Sequence, residues 1–382
     1  MNTHPVKQEY DWKNVGFFGS TTILAVVGLP LYLWKHDLTP GDWIIAVVMA
    51  LATMMATTFG HHRLFAHKAF QVPSFIKYLC LFFGAAAWEG SVLNWSSEHR
   101  DHHRFVDTPK DPYNIKQGFW HAHMGWFIFE RPKQDYGNAK DLSSDPWIAN
   151  QHKYYTVWSV TAGMIFPLAL GIAFGSFWGT VFLGVCARLF VIHQCVFCIN
   201  SVAHTLGKQT YDLGCTARDS FLCAVVTHGE GYHSFHHRFP SDYRNGIRWY
   251  HWDPTKWTVK LLSFVGLTTN IKRTEESQIL AARTLVEKEL AVQRIAKLQQ
   301  HPQLALAAKQ LDEFYARLRE TLQQWEAKAG EYRRMCANWA EENSGILKAK
   351  SEEVKALRAQ FMSERRKWLE MISSQPESSN PA

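Results

Sequence analysis

The sequence predicts an all-α integral membrane protein with four transmembrane helices, a histidine-rich helical cap on the cytoplasmic side, and a helical, coiled-coil-like extension at the C-terminus. Three observations predict this fold class. Four long apolar stretches occur in two closely spaced pairs, histidines recur twice at i, i+3, i+4 spacing in the polar segments, and a seven-residue repeat occupies the last part of the chain. The chain therefore divides into a membrane domain over residues 1–270 and an extension over residues 271–382.

The four apolar stretches have the length to cross a bilayer. They lie near Val15–Trp34, Trp43–Phe59, Thr156–Phe174 and Phe177–Asn200. A hydrocarbon layer of about 30 Å requires about 20 helical residues, so the second stretch is short unless its flanks complete it. One such stretch could be the core helix of a soluble protein, but four in two close pairs indicate a polytopic membrane protein.

The basic residues indicate how these helices are oriented. Almost every Lys and Arg precedes Val15, lies between Phe59 and Thr156, or follows Asn200. By the positive-inside rule these regions share the cytoplasmic side, so both termini are cytoplasmic and the number of crossings is even. The first apolar run lacks a basic leader and a small-residue cleavage site, so we expect no cleaved signal peptide and a multi-pass location in a bacterial inner membrane.

Charge and cysteine usage argue against two other classes of protein. The formal net charge of +7 suits a surface that faces anionic lipid or an acidic partner. Because the basic residues form no single stripe with interleaved aromatic residues, nucleic-acid binding is not expected. The seven cysteines lie mostly in apolar sequence, which indicates reduced thiols rather than a disulfide framework.

Two polar blocks follow the two pairs of apolar stretches. In the first, residues 60–155, the apolar segment Phe75–Leu93 is interrupted by Gly84 and Gly90, which predicts a re-entrant or interfacial helix pair rather than a fifth span. The second block covers residues 201–270 and ends in aromatic residues that alternate with Lys and His, a pattern typical of a membrane interface.

The extension carries the seven-residue repeat. The repeated positions are Leu304, Leu311, Leu318, Trp325, Tyr332, Trp339 and Ile346, then, one step out of phase, Leu347, Val354, Phe361 and Trp368. This repeat predicts a coiled coil, interrupted near His301 and Pro302. Tethering or self-association through residues 304–371 is one role for it, and packing back onto its own domain is an equal alternative.

Histidines concentrate at the ends of two apolar stretches and in the two polar blocks. On a helix, positions i, i+3 and i+4 lie on one face, so each HxxHH motif can direct three imidazoles to one point. His62 and His67 are spaced i, i+5, which places their rings about 140° apart on a regular helix, unless the helix bends near Gly60. Asn200 and His204 form an i, i+4 pair at the equivalent depth. The nine candidate metal ligands are His62, His67, His99, His102, His103, His204, His233, His236 and His237.

This set of ligands favours two iron ions. Six to nine imidazoles are too many for one ion, and neutral imidazole binds iron, zinc or copper. A structural zinc site would be closed by four ligands and would favour Cys, while soluble di-iron bundles use paired Glu-x-x-His motifs, of which only Glu230–His233 is present. An all-histidine dinuclear site in a membrane enzyme indicates iron and dioxygen. His61 is expected to support the ligands rather than to bind metal.

These motifs resemble those of the membrane fatty acyl desaturases, the relatives of stearoyl-CoA desaturase, over about residues 15–270. The matching segments are HRLFAH (62–67), WSSEHRDHH (95–103), DPYN (111–114), GFWHAHMGW (118–126), NSVAHTLG (200–207) and GEGYHSFHHRFPSDYR (229–244). The resemblance implies a mushroom-shaped four-helix fold whose cytoplasmic cap holds two irons. It also implies that the nine histidines are the ligands and that Asn200 reaches an iron through water.

The implied reaction removes two hydrogens from adjacent methylenes of a long saturated acyl chain, leaves a cis double bond, expected at carbon nine, and reduces O₂ to water. An unactivated C–H bond has no acidic or basic group on which acid–base catalysis could act, so a strong oxidant must abstract the hydrogen atoms. The position of attack must then be set by an apolar tunnel that holds the acyl chain against the irons. Candidate walls of that tunnel are Trp88, Trp95, Phe119, Trp120 and Trp126. Trp95 aligns with a tryptophan that shapes the bend of the family's acyl channel, whereas core packing is the alternative for each of these residues.

The substrate carrier and the electron donor are less specified. Animal acyl-CoA members have an Arg-Asp pair before the second histidine motif that touches CoA, but this chain has Ser97 and Glu98 there, so CoA, phospholipid and acyl carrier protein all stay open. No haem signature or Fe–S cysteine spacing is present, so two electrons are expected from a separate ferredoxin, rubredoxin or small cytochrome with an NAD(P)H reductase. Such an acidic carrier could dock on the positive cytoplasmic side.

Two other functions fit parts of the pattern. A histidine-motif fatty acid hydroxylase or alkane monooxygenase could use a similar metal site and add OH to carbon instead of removing a second hydrogen. A membrane-anchored coiled-coil adaptor could use its histidines only to store or sense metal.

Overall fold

The computed structural model describes residues 9–131, 134–297, 302–337 and 344–373. In these ranges the chain is helical, with isolated bridges in place of strands, which confirms the predicted all-α class. It forms two compact units, one of residues 1–209 and 214–273 and the other of residues 210–213 and 274–382.

The membrane unit contains ten of the helices that we number in chain order. They are α1 (Trp12–Leu33), α2 (Pro40–Ala66), α3 (Ser74–Ala85), α4 (Val92–Phe105), α5 (Pro146–Lys153), α6 (Tyr155–Phe174), α7 (Phe177–His204), α8 (Phe221–Val226), α9 (His233–Arg238) and α10 (Pro254–Phe264). Helices α1, α2, α6 and α7 are long and apolar enough to cross a membrane, as predicted. The second span is not short, because its helix continues past Phe59 to Ala66.

One buried carboxylate joins the two pairs of membrane helices, α1–α2 and α6–α7, at the N-terminal ends of α2 and α7. Asp42 closes a capping box with Thr39 at the start of α2. Its carboxylate also accepts hydrogen bonds from the Ser176 backbone N–H at 2.9 Å and from the Thr180 hydroxyl at 3.2 Å. The side chain is fully buried, so a single acid fixes the start of both helices.

The segment Phe75–Leu93 does not form a fifth span: it contains the short apolar helix α3 and ends where α4 begins at Val92. The loop 86–91 separates the two helices, and it contains Trp88 with φ +60° and Gly90 with φ +101°. These left-handed conformations turn the chain sharply. Helix α4 then carries the first HxxHH motif back towards the end of α2.

The extension forms a bundle of α11 (Glu276–Lys297), α12 (Pro302–Ala337) and α13 (Ser344–Ser373). Salt bridges pair Lys288 with Asp312 and Lys328 with Glu353, so α12 runs antiparallel to both of its neighbours. The core residues include Leu311, Leu318, Trp325, Phe361 and Trp368.

The core of the extension therefore consists largely of the predicted heptad positions. The apolar seam that suggested self-association is covered within the chain. Ile346 is exposed because the repeat shifts to the buried Leu347 after Gly345. The side chain of Leu304, together with His301 and Trp339, lies outside the described residues.

Candidate metal centre

The nine histidines singled out by their spacing converge into two groups. The five-histidine group contains His62, His67, His99, His103 and His236, and the four-histidine group contains His102, His204, His233 and His237. Within each group, every histidine offers one ring nitrogen that lies within 4.8 Å of the others. No other histidine of the described residues belongs to either group.

A π-helical segment at the end of α2 brings His62 and His67 together. Residues Ala56–Ala66 are π-helical, and the His67 backbone N–H donates to the His62 carbonyl at 3.1 Å, the i→i+5 bond of this wider turn. The two ring centroids are 4.8 Å apart. The separation of about 140° holds only for a regular α-helix, and the chain follows the alternative, a departure from regular geometry around Gly60.

Each HxxHH motif is divided between the two groups rather than directed to one point. On α4, His99 and His103 belong to the five-histidine group and His102 to the other. On α9, His236 belongs to the five-histidine group, while His233 and His237 belong to the four-histidine group. The i and i+4 side chains share a direction, whereas i+3 turns about 100° away from i+4, so each helix serves both groups.

Carboxylates contact several of these imidazoles at Nδ1, either directly or through a hydroxyl group. The Glu230 carboxylate lies 2.9 Å from His62 Nδ1, and the Asp111 carboxylate accepts a hydrogen bond from His102 Nδ1 at 2.8 Å. His204 Nδ1 contacts the Thr216 hydroxyl at 2.8 Å, and this hydroxyl donates to Asp107 at 2.7 Å. Each contact fixes the ring so that Nε2 faces its group, as in carboxylate–histidine–metal triads.

These orienting residues were not predicted from the sequence. Glu230 and Asp111 lie in two of the motifs that matched the desaturases, so a signal for them was present. Asp107 and Thr216 carried none, because 109 residues separate them. Burial alone would raise the pKa of Glu230, but His62 and Arg63 lower it to about 2, so it accepts as a carboxylate.

His99, His103 and His236 are held in the neutral form that a metal ligand requires. Burial, and then the neighbouring histidines, lower the pKa of His99, His103 and His236 well below the ordinary value. His102 Nε2 and His204 Nε2 are buried without a hydrogen-bond partner. Such orphaned nitrogens, clustered without charge, suit a bound transition metal ion, so the donor set fits two irons.

An apolar cavity reaches the five-histidine group between α2, α4 and α7. It measures about 30 Å³ and is lined by residues that include Trp95, Tyr113, Trp126, Val196 and Asn200. This is room for a small molecule but too narrow for a long acyl chain. Asn200, which the resemblance places near an iron, therefore lies at the cavity wall.

The predicted channel residues divide into two sets. Trp95 and Trp126 line the cavity, and Trp95 also stacks on His99 with ring centroids 4.8 Å apart. Trp88, Phe119 and Trp120 do not line it. Trp88 stacks on Phe17 at 4.8 Å, and Trp120 is 70% exposed.

The residues that replace the Arg-Asp pair of animal acyl-CoA members are buried. Ser97 is fully buried, and its hydroxyl bonds to Asn138 at 2.7 Å. Glu98 is 4% exposed and pairs with Arg131 at 2.7 Å. Both side chains are therefore engaged inside the cap.

Two histidines outside the groups, His61 and His123, pack inside the membrane unit. His61, predicted to support the ligands, is fully buried, with its ring 5.7 Å from that of Trp95. A side chain at Gly84 would come within 2.4 Å of His61 Nε2, so α3 makes room for this ring. His123 contacts Ser201 at 2.9 Å.

Comparisons with known proteins agree with this geometry. Residues 41–262 match the family model described as fatty acid desaturase. The chain is 38% identical over 272 residues to a "Probable acyl-CoA desaturase" of Schizosaccharomyces pombe, an alignment that covers 70% of this chain and 57% of the relative. It is 35% identical over 307 residues to "Acyl-CoA desaturase 1" of Saccharomyces cerevisiae, covering 78% and 58%.

A cyanobacterial relative is matched over nearly its whole length. The chain is 35% identical over 274 residues to the "sn-1 stearoyl-lipid 9-desaturase" of Anabaena variabilis, which covers 71% of this chain and 97% of the relative. By contrast, the chain spans 57% and 58% of the length of the two yeast relatives. With the family model matching more than half of the chain, the chain belongs to the fatty acid desaturase family.

Proposed function

We propose that this protein is an O₂-dependent di-iron fatty acyl desaturase that introduces a cis double bond at carbon nine of a long saturated acyl chain. The observation that carries the proposal is the convergence of nine histidines into two groups beside an apolar cavity. Relatives named as 9-desaturases support the position of the double bond.

The two histidine groups would each hold one iron, and the irons would supply the oxidising power of O₂ that an unactivated C–H bond requires. The protein supplies the geometry. Glu230 and Asp111 hold His62 and His102 in one orientation, and Trp95 and Trp126 present apolar walls to the substrate. The overall reaction takes up two electrons and two protons with O₂, removes two hydrogens from adjacent carbons, and releases two waters.

The substrate carrier is an acyl-CoA or an acyl-lipid. Relatives are named for both kinds of substrate, and Ser97 and Glu98 are engaged inside the cap. The acyl chain enters the cavity between α2 and α7, whose side chains must move apart to admit it.

The electrons come from a separate acidic carrier that docks over the histidine groups. His67, His103 and His237 are the partly exposed members of the groups, and each is followed by an exposed cation, Lys68, Arg104 or Arg238. A ring of cations around the most accessible ligands suits a negatively charged one-electron carrier. We place this face, with both termini, on the cytoplasmic side of a bacterial inner membrane.

Expression in a host that lacks unsaturated fatty acids tests the proposal. We expect growth without added unsaturated lipid and a new cis double bond at carbon nine, located by mass spectrometry of the derivatised fatty acids. Hydroxylated products in place of alkenes would instead identify a hydroxylase. Purified protein with bound iron but no lipid product under reducing, aerobic conditions would contradict both.

A further inference from the structure

A buried cation lies inside the membrane span α7. Arg188 is 3% exposed, and no acidic side chain in the described part of the chain forms an ion pair with it. An arginine near the centre of a membrane span is costly to insert, and ionisable side chains in such positions usually have a functional role.

The guanidinium of Arg188 donates hydrogen bonds to four different parts of the membrane unit. Nε donates to the Gly184 carbonyl at 2.9 Å on α7 itself. Nη1 donates to the Thr53 hydroxyl on α2 and to the Ala86 carbonyl, both at 3.1 Å, and Nη2 donates to the Gly163 carbonyl on α6 at 3.1 Å. Since Arg188 does not line the cavity, these contacts, and not substrate charge, account for it.

A second side chain of α7 acts on the next carbonyl. His193 Nε2 donates to the Ala87 carbonyl at 2.8 Å. Ala86 and Ala87 follow the last residue of α3, where helix carbonyls have no partner within the helix and favour a nearby cation. Two residues of α7 therefore hold two consecutive carbonyls at the start of the loop 86–91.

The loop is fixed at its other positions as well. Trp88, with φ +60°, stacks on Phe17 of α1, and the Gly90 backbone N–H donates to the Tyr155 hydroxyl at 3.0 Å. A left-handed, non-glycine residue is strained and persists only where its surroundings determine it. The loop is thus held by α1, α6 and α7 together.

This loop connects directly to the cavity. Ala87 packs with Met54, Ile192 and Val196 in one buried cluster, and Val196 also lines the cavity. At its far end the loop begins α4, which carries Trp95 and His99. A shift of the loop would therefore move the apolar wall beyond the cavity and the helix that carries three of the histidines.

We propose that Arg188 and His193 are positioning residues that clamp the loop 86–91 and thereby determine which carbon–carbon bond of the acyl chain lies against the histidine groups. The inference rests on the proposed desaturase function. Ala87 packs against Val196, which lines the cavity, so the clamp bounds the apolar region into which the acyl chain would extend beyond the reacting carbons. A displacement of about 1 Å in such a site costs on the order of a hundredfold in rate.

Three variants and one matched control test the clamp. His193→Leu removes the bond to Ala87, His193→Gln keeps a donor at that position, and Arg188→Lys keeps the cation but loses the planar fork. Thr180→Val is the control, because it removes a buried hydrogen bond from Thr180 of α7 to Asp42 of α2 and Thr180 makes no hydrogen bond to the loop. For each variant we would measure iron per protein, amide hydrogen exchange over residues 86–91, and the distribution of double-bond positions.

We expect His193→Leu and Arg188→Lys to bind iron as the wild type does, to exchange the loop amides at least about tenfold faster, and to spread the double bond over neighbouring positions. His193→Gln should restore the wild-type product, and Thr180→Val should keep both the product and the loop exchange. The inference is overturned if the loop exchange and products of His193→Leu match those of Thr180→Val. Absence of any lipid product from the wild type would remove the desaturase function, while the exchange comparison would still decide whether the clamp exists.

Discussion

At the scale of single residues, His236 of α9 meets histidines of both α2 and α4 in the five-histidine group. Its Nε2 lies 2.9 Å from His62 Nε2 and 2.9 Å from His103 Nε2. Because a metal ion would occupy the point where these nitrogens meet, we expect His236→Ala or His103→Ala to lose iron and all product. Metal analysis of the purified protein and fatty acid profiles check this, with the exposed His36→Ala as the control. Wild-type levels of unsaturated lipid from either variant would remove it from the ligand set.

Glu230 tests the orientation of a ligand rather than the ligand itself. Glu230→Gln preserves the shape but weakens the bond to His62 Nδ1 and the pairing with Arg63. We expect iron affinity or turnover to fall about 10- to 100-fold, as for other residues that orient metal-bound histidines. Titration with Fe²⁺ under anaerobic conditions measures the affinity. The exposed Glu130→Gln is the matched control, and equal iron affinities in the two variants would contradict the orienting role.

Asn200 stands at the cavity wall, where the resemblance predicts a contact with iron through water. We expect Asn200→Ala to reduce turnover less than the histidine variants do, because a second water can partly replace the amide. Steady-state turnover with a reconstituted electron donor measures the effect. Full activity of Asn200→Ala would exclude this residue from the site.

At the scale of secondary structure, the ends of the membrane helices decide how the two hairpins meet. Asp42 accepts hydrogen bonds from Thr39, Ser176 and Thr180, so Asp42→Ala leaves several buried donors unpaired. We expect a loss of about 2–4 kcal/mol in the free energy of unfolding, with unchanged positions of the double bond. Thermal unfolding in detergent measures the loss, and the exposed Asp37→Ala in the same connection is the control. An unchanged melting temperature would show that Asp42 does not join the hairpins.

At the scale of the whole molecule, the membrane unit and the extension can be tested separately, because each is a compact unit. The core of the extension is formed by its own three helices, and no member of either histidine group lies in it. We therefore expect deletion of residues 275–382 to leave iron binding and some turnover, measured in membranes against the full chain. If the protein were an adaptor, this deletion would abolish its function. Loss of turnover with iron retained would indicate that the extension has a role in activity.

The positions of the four spans, the break of the segment Phe75–Leu93 and the nine histidines were predictable from the sequence. Apolarity, glycine breaks and i, i+3, i+4 spacing are local properties that a one-dimensional pattern records. The heptad repeat could also be predicted from the sequence, but the surface that covers its apolar positions could not. Leu318 and Phe361 could have been buried against a second copy of the chain as well as within one bundle. An apolar stripe on a helix predicts that this face is buried, but it does not predict which surface packs against it.

The sequence by itself determined four helices that are long and apolar enough to cross a membrane, and it singled out nine histidines by their spacing. Only the tertiary structure decided how the histidines divide into two groups, that a π-helical turn brings His67 beside His62, and that Glu230, Asp107 and Thr216 hold them in place. The physical reason is that residue spacing fixes direction only along a regular helix. The direction of a side chain after a π turn, and contacts between residues more than a hundred positions apart, depend on how the helices pack.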